Sequence, residues 1–240
     1  MLTKIAVFIL SICAMLIPSL SSASECESCT ESNTSCFTDP YGVVYCNGVL
    51  VSYPEDLELI MYQVDARAHI IGEGSFSGNE YLQEVFIPNG VVMIGDYAFE
   101  GCTELRTVHL PDSLLIICSN AFSVCTSLDS ILLPDSIHCI GSQAFCDTWS
   151  LEQVILPESL RFIGEEAFAH SGVREAYIYS AHIECGYDVF TPSSLGIGNS
   201  LLLHFRKDVF FEEIGNVYSW IEELQQDDKI VIIFDIPYEE

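Results

Sequence analysis

The chain has 240 residues, half of them apolar, and sets 35 acidic side chains against 8 Lys and Arg for a formal charge of −27. A surface this acidic is repelled by phosphate backbones and by anionic lipid headgroups, which excludes nucleic acid as a partner class and leaves basic partners open. After the first 23 residues no segment approaches the roughly 18 uninterrupted apolar residues of a spanning helix, so no membrane insertion is expected once the leader is removed.

That leader, 1–23, has the three parts of a secretory signal: Lys4, an apolar run over 5–20, then the small residues Ser21, Ser22 and Ala23. Cleavage is expected after Ala23, giving a chain that is secreted or held at the cell surface. Cys13 leaves with the signal and ten cysteines remain, an even number that in an exported chain suggests disulfides. Residues 24–57 read as a cysteine-rich cap. Cys26, Cys29, Cys36 and Cys46 are the stronger disulfide candidates there, because the segment is polar and has little core of its own. Zinc is the weaker reading of the same four residues in an exported chain. Asn33 heads the Asn33-Thr34-Ser35 glycosylation sequon. Two apolar runs, 43–46 and 49–51, flank Asn47-Gly48, the pattern of a tight β-hairpin.

From 58 to 205 one period organises the chain. Pro88, Pro111, Pro134 and Pro157 are 23 residues apart, and Phe76, Phe99, Phe122, Phe145 and Phe168 keep the same spacing. So do Ile71, Ile94, Ile117, Ile140 and Ile163, and Leu82, Leu105, Leu128 and Leu151. A unit this short cannot bury its own apolar side chains, so neighbours must stack around a shared core. The expected fold is mainly β with short helical turns, a solenoid with a parallel strand ladder. In the unit 105–122, Val108 and Leu110 point inward and His109 outward on a short strand ended by Pro111. A second extended segment over 114–117 and a helical turn around Ala121-Phe122 return the chain. Val173, Ala176 and Ile178 continue the ladder one residue short of register, and Leu201, Leu203 and Phe205 add a last rung. Residues 206–240 form a C-terminal cap, with an amphipathic helix over 208–224 and a strand over 230–234.

These units resemble the BspA-like leucine-rich repeats. The resemblance rests on the Leu-Pro strand end, on Ile94-Gly95, Ala98-Phe99 and Cys102, and on Ala121-Phe122 and Cys125. It departs where Cys118 replaces the turn glycine and where Thr148 and Ser171 replace the closing cysteine. The resemblance implies a leucine-rich-repeat solenoid acting outside the cell by recognition or adhesion, a function that the fold alone does not fix.

On the strand ladder, the outward positions Gln63, Phe86, His109, Leu132, Ile155 and Tyr177 form one row along the expected concave face. Strands about 4.8 Å apart spread it over roughly 25 Å. Exposed apolar and aromatic side chains at this density are the residue types that anchor protein interfaces, although strand propensity alone favours them too. Phe86, His109, Leu132, Ile155 and Tyr177 are the partner-binding candidates. Beside them Glu84, Thr107, Ser130, Gln153 and Glu175 form a polar row suited to an interface rim. The expected partner is an extracellular protein; self-association and, more weakly, carbohydrate binding are the alternatives.

Cys102 and Cys125 share one phase in adjacent coils, which allows a disulfide or a column of buried thiols. No GxSxG elbow, HExxH pair or phosphate-binding glycine loop is present, so neither catalysis nor a cofactor is expected. Ser75 in Gly74-Ser75-Phe76-Ser77-Gly78 lies in a repeat turn with the wrong spacing. His182 and Cys185 give two metal ligands without a third, and no metal site is expected. His138, His170 and His204 share no row. Asp112, Asp135 and Glu158 read as a solvated edge rather than a calcium ladder, which needs six to eight convergent oxygens.

Overall fold

The structure, a computed structural model, describes residues 35–180, 183–191, 201–206 and 230–236. The signal segment, Cys26, Cys29, Asn33, His182 and the expected helix over 208–224 lie outside the described residues.

The described chain opens on three short strands, β1 (Cys36–Thr38), β2 (Val44–Cys46) and β3 (Val49–Ser52). Asn47 and Gly48 turn β2 into β3 with φ of 51° and 80°, the left-handed pair that a two-residue hairpin demands. Cys36 and Cys46 are bridged by a disulfide across the β1–β2 pair. Then each coil contributes two strands: β4 (Met61–Gln63) and β5 (Ile70–Ile71), β6 (Glu84–Phe86) and β7 (Met93–Ile94), β8 (Thr107–His109) and β9 (Ile116–Ile117). β10 (Ser130–Ile131) and β11 (Cys139–Ile140), β12 (Gln153–Leu156) and β13 (Phe162–Ile163), and β14 (Glu175–Ile178) and β15 (Glu184–Cys185) continue the pattern. β16 (Leu201–Arg206) and β17 (Ile230–Ile236) follow.

The odd strands from β3 to β15 stack in parallel behind the β1–β2 hairpin as one nine-stranded sheet. The even strands from β4 onward form two further four-stranded sheets, β4, β6, β8 and β10, and then β12, β14 and β16 with β17 added at the end. Between them lies the core. Val85, Val108, Val154 and Ala176 face it from one side and Ile71, Ile94, Ile117, Ile140 and Ile163 from the other, all essentially shut off from solvent. Phe76, Phe99, Phe122, Phe145, Phe168 and Phe190 stack ring on ring at 4.6 to 5.3 Å along the axis, and Tyr53 starts the stack at 4.8 Å from Phe76. One buried aromatic ring per coil, each worth roughly 1.5–3 kcal/mol, supplies the continuous core that a single unit lacks.

The Ala-Phe segments form turns, and the described residues contain no helix. Phe122 N–H donates to Ala144 of the next coil rather than four residues back, and Asn120 and Val124 on either side are left-handed, with φ of 56° and 59°. Left-handed residues at both ends of a four-residue step cannot propagate a right-handed helix. The same two columns are left-handed in neighbouring coils, as at Tyr97 and Gly101 or Gln143 and Asp147.

The departures from the repeat have local causes. Cys102 and Cys125 each carry a free thiol that donates to the Phe carbonyl of the preceding coil, Phe76 and Phe99, at 3.1 Å. The disulfide allowed by their shared phase is not formed. Thr148 and Ser171 instead donate to their own coil's Phe145 and Phe168 carbonyls at 2.7 and 2.6 Å, so the closing position keeps a donor throughout. The ladder shifts from 23 to 22 residues where Gln153 pairs with Glu175. Gly172 permits this, because a Cβ there would collide with the Trp149 carbonyl of the coil before. Cys118 takes a glycine position without breaking the pairing of Ile94 with Ile117 or of Ile117 with Ile140.

At the start, Tyr45 and Tyr62 share a hydroxyl hydrogen bond of 2.6 Å, and Tyr62 donates onward to Asp39 at 2.7 Å. Burial pushes both phenols to titrate higher than usual, so they stay protonated as the donors this network requires.

Candidate binding face

The even strands set the geometry of the candidate row. Alternation along each strand buries Val85, Val108 and Val154 and turns their flanking residues outward. Gln63 pairs with Phe86 and Phe86 with His109; Leu132 follows Ile131, which pairs with Val108; Ile155 pairs with Tyr177. The row thus stands one residue per coil. Leu132 is 76% exposed and Ile155 42%, while Phe86 and Tyr177 are half-buried. The polar row lies beside it, with Glu84 and Ser130 both paired to Thr107, and Gln153 paired to Glu175.

One neighbour was not expected. His204 pairs with Tyr177 and extends the row, whereas the sequence reading gave the later histidines no shared row. Its outward phase was readable from the alternation of Leu201, Leu203 and Phe205 around it. Ile233 of β17 then pairs with His204. His138 and His170 lie off this row: His138 is held at 2.6 Å from the Ser136 carbonyl, and His170 is a left-handed turn residue.

The two histidines on the row make one motif twice. His109 stacks on Phe86 with centroids 4.2 Å apart, and its Nε2 lies 2.8 Å from Glu84 Oε1. His204 stacks on Tyr177 at 4.4 Å, and its Nε2 lies 3.2 Å from Glu175 Oε1. In each case a carboxylate two residues before the aromatic reaches the histidine of the next coil. Glu175 also accepts from the Tyr177 hydroxyl at 2.9 Å and from Gln153 at 2.8 Å. The Tyr177 hydroxyl first, then Gln153, then the positive potential of His204, holds its carboxyl below the usual range. These clusters bracket Leu132 and Ile155, the apolar centre of the row.

That centre coincides with the gap between the two even sheets. β10 pairs with β8, and β12 with β14, but β10 and β12 do not join. Beside the gap is a groove of about 620 Å³, walled by Leu132, Ile155, Pro157 and Tyr179 with Asp135 and Glu158 at its edge. Pro157 marks the repeat in the sequence, whereas Leu133, Arg161 and Tyr179 were not singled out; Tyr179 takes the phase of Pro157 through the 22-residue register, and its N–H donates to the Leu156 carbonyl of the coil before.

The acidic positions Asp112, Asp135 and Glu158 stand exposed in the turns that follow the strands. Ser113, Ser136 and Ser159 next to them donate to Val91, Leu114 and Ile137 of the coil before at 2.6 to 2.8 Å, which staples these turns together. Cys185 is free, and burial raises its thiol well above the ordinary range. No helix among the described residues is long and apolar enough to cross a membrane.

Comparison with known proteins agrees with the solenoid fold. The sequence model of the BspA type leucine rich repeat region matches in six copies over residues 69–195. The T. pallidum leucine rich repeat protein (TpLRR) is similar in fold, at 21% identity over 85% of this chain and 100% of that one, with a TM-score of 0.53. A leucine rich cell surface protein of Faecalibacterium prausnitzii A2-165 is also similar, at 25% identity and a TM-score of 0.50, covering 65% of this chain and 38% of that one. No curated protein gives a significant match. With six copies of its repeat spanning more than half the sequence, the chain belongs to the BspA-type leucine-rich repeat family.

Proposed function

We propose that this protein is a non-catalytic binding module, secreted or displayed at the cell surface, that engages an extracellular protein through the face of its even strands. The observation that carries the reading is the exposed apolar centre formed by Leu132, just after β10, and Ile155, on β12, set between two half-buried aromatic residues, Phe86 and Tyr177. Interfaces concentrate binding energy in such central apolar and aromatic groups, surrounded by polar side chains that exclude water. Glu84, hydrogen-bonded to His109, and Glu175, hydrogen-bonded to Tyr177 and Gln153, supply that surround and are oriented before any partner arrives. Leucine-rich repeat proteins are in general protein-interaction modules, and the resemblance to a cell surface protein of F. prausnitzii supports the location.

The test is capture of extracellular proteins by the immobilised chain, repeated with Leu132→Asp and Ile155→Asp. A partner retained by the native chain and lost with both folded variants supports the reading. A partner retained equally by all three contradicts it.

A further inference from the structure

We propose that the groove between Leu132 and Tyr179 receives an aliphatic side chain of a partner protein that is flanked by lysine or arginine; this rests on the strand face being the binding face. Three features converge there. The groove, of about 620 Å³, lies within the roughly 300–1,000 Å³ of ordinary ligand pockets. Its apolar walls include Leu132, the most exposed large hydrophobic side chain among the described residues, with Ile155 and Tyr179 also exposed. The two even sheets part at this place, so the groove lies where the ladder is interrupted rather than on a continuous strand surface.

Charge selects the occupant. Asp135 and Glu158 stand exposed on the groove's edge, and Asp112 continues the acidic line in the preceding turn. Arg161 is the one cation of the lining among the described residues, and its Nη1 donates to the Glu158 and Leu160 carbonyls at 2.6 and 3.1 Å, so this nitrogen braces the turn rather than facing an incoming anion. A second copy of the chain brings another −27 of charge. Residues 207–229 of this chain carry seven acidic side chains and two lysines, and residues 1–34 carry three acidic side chains and one lysine. All of these share the sign of the groove's edge. A basic segment with an apolar anchor matches both its walls and its rim, gaining burial from the one and charge pairing from the other.

The experiment titrates the full chain with dye-labelled peptides and reads fluorescence anisotropy: acetyl-Lys-Lys-Leu-Lys-Lys-amide, its Leu-to-Gly analogue, and acetyl-Glu-Glu-Leu-Glu-Glu-amide. The basic leucine peptide binds with saturation, the glycine analogue binds roughly tenfold more weakly, and the acidic peptide does not bind. The Asp135→Asn/Glu158→Gln double variant, with an unchanged urea midpoint, binds the basic leucine peptide roughly fivefold more weakly. No saturable binding, equal binding of leucine and glycine peptides, or equal binding by the double variant overturns the proposal. So does a concentration-dependent dimer that Leu132→Asp abolishes, which assigns the groove to a second copy. If the peptides fail while a captured protein still depends on Leu132 and Ile155, the groove assignment falls and the binding face stands. If the peptides bind as expected while capture ignores those residues, the face reading falls.

Discussion

Replacing Gly141 by alanine tests the stacked-coil architecture at a point where the cost can be worked out from distances. Gly141 has an ordinary backbone conformation, so alanine brings no dihedral strain there; the cost is purely steric. A Cβ at this position would stand 2.5 Å from Ser119 N and 2.6 Å from the Cys118 carbonyl carbon. Both are backbone atoms fixed by their own hydrogen bonds, with Cys118 N–H donating to Ile94 and Ser119 N–H to Asp96. Relief requires the coils to part locally, which lengthens the 2.8 Å bond from Gly141 N–H to the Ile117 carbonyl. Overpacking of about 1–3 kcal/mol together with a weakened backbone hydrogen bond of about 1 kcal/mol gives a loss of about 3 kcal/mol. Gly95→Ala, whose nearest atom would be Glu73 N at 2.8 Å, costs about 1.5 kcal/mol on the same scale. Gly74 has φ of +58° and nothing within 4 Å of the added Cβ, so Gly74→Ala pays only the left-handed penalty of about 1 kcal/mol. Urea unfolding followed by circular dichroism, at a common slope, gives the order directly. If Gly141→Ala is no more destabilising than Gly74→Ala, the close approach of coils at the glycine column is wrong.

Val124→Gly is expected to change stability by less than about 1 kcal/mol, because relief of a β-branched residue at φ 59° is offset by loss of a side chain that is only 37% exposed; a loss of about 2 kcal/mol or more in urea unfolding would contradict this. Cys102 and Cys125 resist alkylation by iodoacetamide in the native chain at pH 8, since burial pushes Cys102 up to about 12 and Cys125 well above its ordinary value. Intact mass after native labelling, compared with labelling in denaturant, reads this out, and rapid native modification of either thiol refutes it. The Asp65 carboxyl is lowered to about 2 by the Arg67 guanidinium, to which it is bonded at 2.8 Å. Its contribution is therefore complete above the unfolded carboxylate value of 3.8 and is lost as pH falls through about 2. Because Arg67 is largely exposed, Asp65→Asn lowers the urea midpoint only slightly at pH 7, and by less still as pH falls toward 2; a cost that grows on acidification would reverse the assignment.

Much of the fold was legible because the repeat writes one structural column per phase. The phenylalanines became the ring stack, the isoleucines the inner face of the odd sheet, and Asn47-Gly48 the hairpin turn. The same phase logic placed Phe86, His109, Leu132, Ile155 and Tyr177 in one line. What periodicity does not carry is backbone handedness, and so the left-handed positions 120 and 124 defeated the expected helical turn at Ala121-Phe122. Nor does it carry which coil a side chain bonds to, which separates the thiols of Cys102 and Cys125 from the hydroxyls of Thr148 and Ser171. His204 was missed because its strand leaves the 23-residue period: it pairs with Tyr177 across 27 residues of sequence. The groove was missed because it joins residues of different repeat phases, and Tyr179 reaches the phase of Pro157 only through the 22-residue register between Gln153 and Glu175.

A substitution scan of both sides of the coils decides whether the even-strand face is where a protein partner binds. The dissociation constant of a captured partner is measured for Phe86→Ala, Leu132→Asp, Ile155→Asp and Tyr177→Ala, and for Tyr97→Ser and Tyr187→Ser, which alter exposed aromatic residues away from that face. Leu132→Asp and Ile155→Asp are expected to weaken binding roughly tenfold or more, with no change for the two controls. Binding that survives the row substitutions and fails with Tyr97→Ser or Tyr187→Ser would contradict this.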